Sequence, residues 1–399
     1  MSGSGLSGER LDRMRDVMSG HVERGDVPGL VTVVHRRGET RVEALGTMAA
    51  GGTVPMRRDT IFRIASLTKP VTAVAAMILV EECVLRLDEP VDRLLPELAG
   101  RRVLRRLDGP LDDTVPARRP ITLRDLLTFR PGIGSVLAPR GTHPIQRAMD
   151  EAGLTPSPNP PALDPDEWMK GLGALPLVHQ PGEQWMYHTG SEVLGVLIAR
   201  AAGRSFASFL SDRVFGPLGM RDTAFHVPPE KLDRLPPSYR ALPRTAELAL
   251  HDDPADSRWG RPVAFPSGGG GLVSTADDYL AFCRMLLGRG RYGSERVLSR
   301  PSVELMTSNH LTAEQRPGTH SFLGPDEGWG FGLSVSVRRS DLATTPGRFG
   351  WNGGTGTSAY TDPGEDLVGI LLTQRQMDST TPPAVFQDFW TSAYRAIDD

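Results

Sequence analysis

Lysine is scarce in this chain. Of its 45 basic residues only Lys69, Lys170 and Lys231 are lysine, and the remainder are arginine. A lysine in an apolar setting is therefore a departure from the chain's own habit. Cysteine is scarcer still: Cys83 and Cys283 are the only two, which excludes a disulfide framework. The net charge of -3 and a pI near 6.3 leave no basic field for nucleic acid. Long hydrophobic runs are missing as well. The longest, Pro70–Val80, stops at Glu81, short of the ~20 residues a spanning helix needs. The opening MSGSGLSGERLDRMRD has no apolar segment behind a basic cluster, so no signal peptide and no membrane partner are expected, and the default compartment is the cytoplasm.

Several catalytic signatures are also lacking. There is no G-x-S-x-G elbow, no phosphate-binding P-loop and no H-E-x-x-H. The nine histidines are scattered without ligand spacing, so neither a metal nor a cofactor is indicated. Gly3, Gly5 and Gly8 do spell G-x-G-x-x-G, but no strand precedes them and the match carries no dinucleotide site.

What is present is the balance of a soluble globular protein: 39% hydrophobic and 23% charged residues, with a mean hydropathy of -0.25, exclude wholesale disorder. With 399 residues, two or three units of about 150 residues are expected. The 44 glycines and 34 prolines predict long connecting loops. Residues 9–24 carry Leu11, Met14, Val17, Met18 and Val22 at helical spacing. Gly29–Val34 and Thr40–Ala44 read as a β-hairpin around Gly38. An apolar helix is expected over 66–82 with Ser66 at its N-cap, a short one over 122–128, and others at 189–203, 205–213 and 275–288. Residues 131–165 read as a long loop and, with Trp168 beyond it, as the wall that selects substrate. Strands near 330–338, 346–351, 355–362 and 366–373 precede a terminal helix at about 383–396. Strands at both ends and helices between them predict an α+β fold: residues 1–62 and 268–399 would form a lobe with an antiparallel sheet flanked by helices, and 63–267 a mostly helical lobe.

Three short segments carry chemistry. In Ser66-Leu67-Thr68-Lys69, positions i and i+3 share a helix face. Lys69 would lie one turn from the Ser66 hydroxyl, and burial would lower its pKa enough for it to act as a base. The same spacing also fits a surface lysine behind an N-cap serine. In Trp185-Met186-Tyr187-His188-Thr189, Tyr187 could relay the serine proton, or simply pack under a turn; His188 reads as a loop residue rather than a base. In Trp351-Asn352-Gly353-Gly354-Thr355-Gly356-Thr357, Asn352-Gly353 suits a tight hairpin turn. Alternatively the glycines let a strand edge approach substrate, and the Thr355 N–H becomes an oxyanion donor.

Taken together these segments resemble the serine β-lactamase and penicillin-binding-protein superfamily, most of all class C β-lactamases and family VIII carboxylesterases. The active-site stretch F-R-I-A-S-L-T-K-P carries the likeness. So do Leu87-Asp88-Glu89-Pro90-Val91, Ile121–Thr128, Pro217-Leu218-Gly219-Met220, Gly268–Thr275 and Gly328-Trp329-Gly330-Phe331-Gly332, all in the family's order. The resemblance implies a β-lactamase/transpeptidase-like fold, Ser66 as acylated nucleophile and Lys69 as proton acceptor. It implies Tyr187 at the head of the family's Y-x-N element, Asn352-Gly353-Gly354 at its K-T-G element, and the N–H groups of Ser66 and Thr355 as the oxyanion hole.

The departures are informative. Thr189 replaces the asparagine of Y-x-N, and Asn352 replaces the K-T-G lysine, removing a cation for anionic β-lactams. Trp351 lies one residue off the tryptophan-glycine-glycine of some carboxylesterases, and Phe129-Arg130-Pro131-Gly132 departs from the usual H-T-S-G. The expected activity is therefore cleavage of a small-molecule carboxylic ester, with Trp351, Asn352, Gly353, Gly354, Thr189 and His188 binding substrate. The alternatives are a β-lactamase, D-amino peptidase or amidase, an acyltransferase, and a non-catalytic sensor.

Overall fold

β-Branched residues dominate Gly29–Arg36 (β1), and every one of its eight residues is buried, as expected of a strand covered on both faces. The chain reverses through Arg37 and Gly38, both at positive φ (46° and 86°), the backbone of a two-residue hairpin. It returns as Glu39–Gly46 (β2), with Arg36 opposite Glu39. In this computed structural model, which describes residues 3–242, 245, 247–319 and 321–399, the hairpin completes a sheet whose other strands come from the far end of the sequence. Those are Glu327–Trp329 (β3), Ser334–Ser336 (β4), Phe349–Gly353 (β5), Thr357–Asp362 (β6) and Leu367–Thr373 (β7). The order is β3-β4-β5-β6-β7-β1-β2, antiparallel throughout, with Val33 opposite Ile370 in the central pair.

The period of two along these strands divides two cores. Leu30, Val34, Leu367 and Leu371 face one side, against Met14 and Met18 of the helix Gly8–Glu23 and Phe386, Phe389 and Trp390 of the helix Ala384–Arg395. Val31, Val33, Val368, Ile370 and Leu372 face the other side and join the larger core. That core holds the helix Ala276–Leu287 and, further out, Thr68–Glu81 and Thr189–Ala202. Thr68–Glu81 is apolar on all sides and buried from Thr68 to Leu79, the pattern of a core helix. Among the described residues no single helix is long and apolar enough to cross a membrane.

Four local expectations are corrected. Ser66 is not the N-cap of the core helix. It sits in a 3₁₀ turn, Ala65–Leu67, and the cap position falls to Leu67 with no side-chain bond, because the Ser66 hydroxyl faces Lys69. The stretch 131–165 contains a helix, Pro144–Glu151, anchored by buried Ile145 and Met149; its proline and glycine flanks masked that short period. Asn352 and Gly353 are not a turn but the end of β5, paired with Ser358 and Thr357, and the reversal falls one residue later. Trp168 packs against Phe265 at 5.4 Å in the core instead of lining a site.

Leu371 is fully buried between the sheet and the terminal helices. Leu371→Ala should therefore cost about 2–5 kcal/mol of unfolding free energy, read from the midpoint and slope of urea denaturation. A loss within about 0.5 kcal/mol would mean that this face is not a packed core.

Candidate active site

The short strand Phe62–Arg63, held by Val273–Ser274, delivers the chain to the turn Ala65–Leu67. Ala65 has φ of 41°, a region costly for any residue with a Cβ, and the turn is fixed by its surroundings: Tyr279 donates to the Leu67 carbonyl at 2.9 Å, and Leu272 N–H donates to Thr68 Oγ1 at 3.2 Å. Ser66 is left with its hydroxyl at a cavity. One helical step on, Lys69 is wholly buried. Its Nζ lies 2.9 Å from Ser66 Oγ, 3.2 Å from His188 Nδ1 and 2.5 Å from the Gly269 carbonyl oxygen. Burial drives the Lys69 pKa down to about 7, against a smaller upward pull from the Glu192 charge. Dry surroundings disfavour the ammonium form, so near neutrality this amine is available as a base.

Tyr187 approaches from the opposite side. Its ring lies 4.6 Å from Lys69 Nζ, and its hydroxyl accepts a 2.7 Å hydrogen bond from Trp351 Nε1. Burial pushes the phenol up to about 12, although hydrogen bonds to Ser66 and Trp351 pull the other way; Tyr187 keeps its proton. Phe322, Trp185 and Trp351 surround the ring at centroid distances of 4.4, 5.6 and 5.8 Å. The next residue, His188, has φ 83° and ψ -62°, with Thr189 N–H donating to the Tyr187 carbonyl at 3.2 Å. This is a γ-turn of the strained hand, and it starts the helix Thr189–Ala202.

The hairpin after β5 closes the site. Thr355 Oγ1 donates to the Arg63 carbonyl and Thr357 Oγ1 to the Ile64 carbonyl at 3.2 Å, which ties the Gly354–Gly356 turn to the segment just before Ser66. The backbone N–H groups of Ser66 and Thr355 have no acceptor among the described residues. Two uncommitted donors on segments tied together beside the Ser66 hydroxyl are what an oxyanion would require.

A cavity of about 280 Å³ opens above Ser66, with Pro158, Tyr187, Phe322, Trp351 and Met377 in its wall. Among the described residues no Asp, Glu, Lys or Arg borders it. Ser135, Pro156, Ser157 and Pro158 of the stretch 131–165 do border it, and they also form the divide from a second cavity of about 370 Å³ that carries Arg140 and Asp150. Asn352 and Gly354 reach the first cavity, and Asn352 Oδ1 accepts from Ser358 Oγ at 2.7 Å. Thr189 and Gly353 are buried and stay out of its wall. His188 borders it, but both ring nitrogens are already engaged, Nδ1 with Lys69 and Nε2 with Glu192 at 2.9 Å.

Glu192 lies outside the three sequence segments that carry chemistry. It is buried, 2.7 Å from the Ser267 hydroxyl that donates to it. The available signal was the i, i+4 spacing from His188 to Glu192, directly after Tyr187. Among the described residues no group of three His, Cys, Asp or Glu side chains stands where it could share a metal ion.

Comparison with known proteins places this geometry in context. The chain is 41% identical over 372 residues to Protein Rv1367c of Mycobacterium tuberculosis, covering 91% of this chain and 89% of that protein. It is 33% identical over 376 residues to Esterase EstB of Burkholderia gladioli, covering 89% and 88%. Among solved structures, EstCE1, described as a hydrolase with promiscuous acyltransferase activity, superimposes with a TM-score of 0.81 at 26% identity, over 97% of this chain and 99% of that one. The Beta-lactamase family model matches residues 14–384. Spanning all seven strands of the sheet and the helical middle of the chain, that match makes this chain a member of the Beta-lactamase family, with the β-lactamase/transpeptidase-like fold.

Proposed function

We propose that the protein is a serine esterase that transfers the acyl group of an uncharged carboxylic ester through a covalent intermediate on Ser66. The observation that carries this reading is the wholly buried Lys69 amine 2.9 Å from Ser66 Oγ. Ser66 Oγ attacks the acyl carbonyl while its proton passes to Lys69 Nζ. The carbonyl oxygen becomes an oxyanion against the N–H groups of Ser66 and Thr355, each donor worth about 2.7–4 kcal/mol. As the tetrahedral species collapses, the C–O bond to the alcohol breaks and the Lys69 proton goes to the departing oxygen. Tyr187, which holds its own proton, donates a hydrogen bond to whichever oxygen carries charge and can hand that proton along. Water then attacks the acyl carbon by the same route, Lys69 taking its proton, and Ser66 is restored.

The cavity chemistry supports a neutral substrate. Its wall mixes aromatic and aliphatic side chains with uncharged polar ones such as Ser135, Gln376 and Thr380, and Asn352 stands where the resemblance puts the lysine of K-T-G. A substrate carboxylate would forgo a charge-assisted bond of about 1.5–3 kcal/mol. Esterase EstB among the relatives agrees with this reading. A second reading, transfer of the acyl group to an alcohol instead of water, draws support from the adjoining second cavity and from the acyltransferase activity in the description of EstCE1.

Short-chain p-nitrophenyl esters assayed beside nitrocefin test the proposal. Ester cleavage with little nitrocefin turnover is expected, and the reverse would refute it. A fluorophosphonate should label Ser66, whereas absence of an adduct in folded protein would favour a sensor. Ser66→Ala should abolish turnover with little change in melting temperature, and Lys69→Ala should cost about 10²–10⁴-fold in kcat. Because Lys69 must be neutral to accept a proton, kcat/KM should rise about tenfold per pH unit below about 7 and level off above it. A profile flat between about pH 5 and about pH 9 would remove Lys69 from the role of base.

A further inference from the structure

We propose that Glu192 and His188 are positioning residues for this reaction: together with the Gly269 carbonyl they orient the Lys69 amine so that its lone pair faces Ser66 Oγ. This inference rests on the esterase reading above and goes further by explaining how the base is aimed.

A neutral lysine amine has two N–H bonds and one lone pair, and it can rotate about its Cε–Nζ bond. Burial alone makes it basic enough but does not aim it. Three groups surround Lys69 Nζ: Ser66 Oγ, His188 Nδ1 and the Gly269 carbonyl oxygen. The carbonyl can only accept. Whether His188 Nδ1 accepts depends on its tautomer, and the tautomer is set by the partner of the other nitrogen. That partner is the Glu192 carboxylate, 2.9 Å from Nε2, an acceptor that requires Nε2 to carry the proton. Nδ1 is then an acceptor, both amine N–H bonds are taken, and the lone pair is left for the serine proton. When that proton arrives, the ammonium has three N–H bonds and the same three acceptors, so no side chain must move.

The surroundings are built for this chain of contacts. Glu192 Oε1 also receives the Ser267 hydroxyl at 2.7 Å, and the same hydroxyl oxygen accepts from Gly270 N–H at 2.9 Å. Glu192 Oε2 is buried without a hydrogen-bond partner, so part of the carboxylate charge remains uncompensated beside the ammonium that forms. A Cβ on Gly269 would stand 2.6 Å from Glu192 Oε1 and 3.0 Å from His188 Cε1; only glycine lets this carbonyl approach. The strained φ of His188, 83°, turns its ring toward Lys69 and leaves it buried, a backbone cost typical of functional positions. The titratable groups facing Lys69 are Tyr187 and His188 from the loop and Glu192 from the following helix; the segment Ser267–Gly271 contributes a hydroxyl and backbone only. His188 is held below its usual range by burial and by the Lys69 charge, against the pull of Glu192, which keeps it neutral.

Glu192→Gln preserves the shape and removes the charge. Its kcat/KM for p-nitrophenyl butyrate should fall by at least about tenfold on the plateau. Its acidic limb should also move to lower pH, because Lys69 loses the neighbour that raises its pKa. A merely structural role would lower the plateau and leave the limb in place. His188→Asn offers an amide oxygen near the Nδ1 position and tolerates positive φ, so it should retain at least about tenfold more activity than His188→Leu. This second pair decides the matter should Glu192→Gln not fold. The inference is overturned if folded Glu192→Gln keeps the wild-type plateau or leaves the limb in place, or if the Asn and Leu variants are equally impaired. Fluorophosphonate labelling separates the two levels. Wild type that fails to label at Ser66 sinks the esterase reading, and this inference with it; wild type that labels while Glu192→Gln behaves as wild type sinks this inference alone.

Discussion

A primary amine in water holds its proton until far above neutral pH, and an amine that holds a proton is no base. Burial suspends that rule at one atom, Lys69 Nζ, whose pKa falls to about 7, and the chemistry proposed above depends on it. The means is the hydrophobic core itself. The helix that carries Lys69 is buried along nearly its whole length, and it is covered by the helix Thr189–Ala202 and the Gly268–Gly271 segment. Taking a charge out of water is so expensive that the group sheds it. The packing that makes the fold stable therefore also makes the base. Near-total use of arginine elsewhere fits this economy, since a guanidinium cannot be deprotonated in a protein and could not stand in for Lys69.

The same burial creates an obligation. A buried amine with unsatisfied N–H bonds would be costly, and here the acceptors that satisfy it also orient it. His188 and the Gly269 carbonyl thus satisfy the buried amine, and in the proposed mechanism they also aim it. Glu192 extends the chain of contacts to Ser267 and to the backbone of Gly270. A buried carboxylate is tolerable only because donors surround it, and burial raises its pKa less than His188, Ser267 and Lys69 lower it. Glu192 and Lys69 stay out of the cavity wall, which holds no Asp, Glu, Lys or Arg among the described residues.

Much of this was legible in the sequence, for identifiable reasons. The strands β1, β6 and β7 are rich in β-branched and aliphatic residues bounded by turn signals, so the terminal sheet could be read directly. Ser66 and Lys69 stand three apart at the entry to an apolar helix, and positions i and i+3 share a face in the 3₁₀ turn as in the α-helix. The misreadings come from places where tertiary contacts outweigh local preference. Ser66 has the chemistry of an N-cap but is held in a 3₁₀ turn by contacts from Tyr279 and Leu272. Asn352-Gly353 has the composition of a tight turn, yet Thr355 and Thr357 fasten the following residues to Arg63 and Ile64 and draw both strands out by a residue. His188 and Glu192 were four apart in plain view. What hid them was that helical spacing says nothing about a residue just outside the helix, and His188 joins that face only through its γ-turn.

Strain is the remaining thread. Ala65 precedes the nucleophile and His188 follows the tyrosine, and both occupy positive φ without being glycine. Each costs energy that a flexible loop would release. Here neither can relax: the residue after each begins or approaches a buried helix, and the side chain of each is packed in the core. The two kinks lie beside Ser66 and Tyr187, which border one cavity, and Lys69 Nζ lies close to both. The hydrophobic effect thus acts twice, once to dry the amine and once to hold two unfavourable backbone bends in place around it.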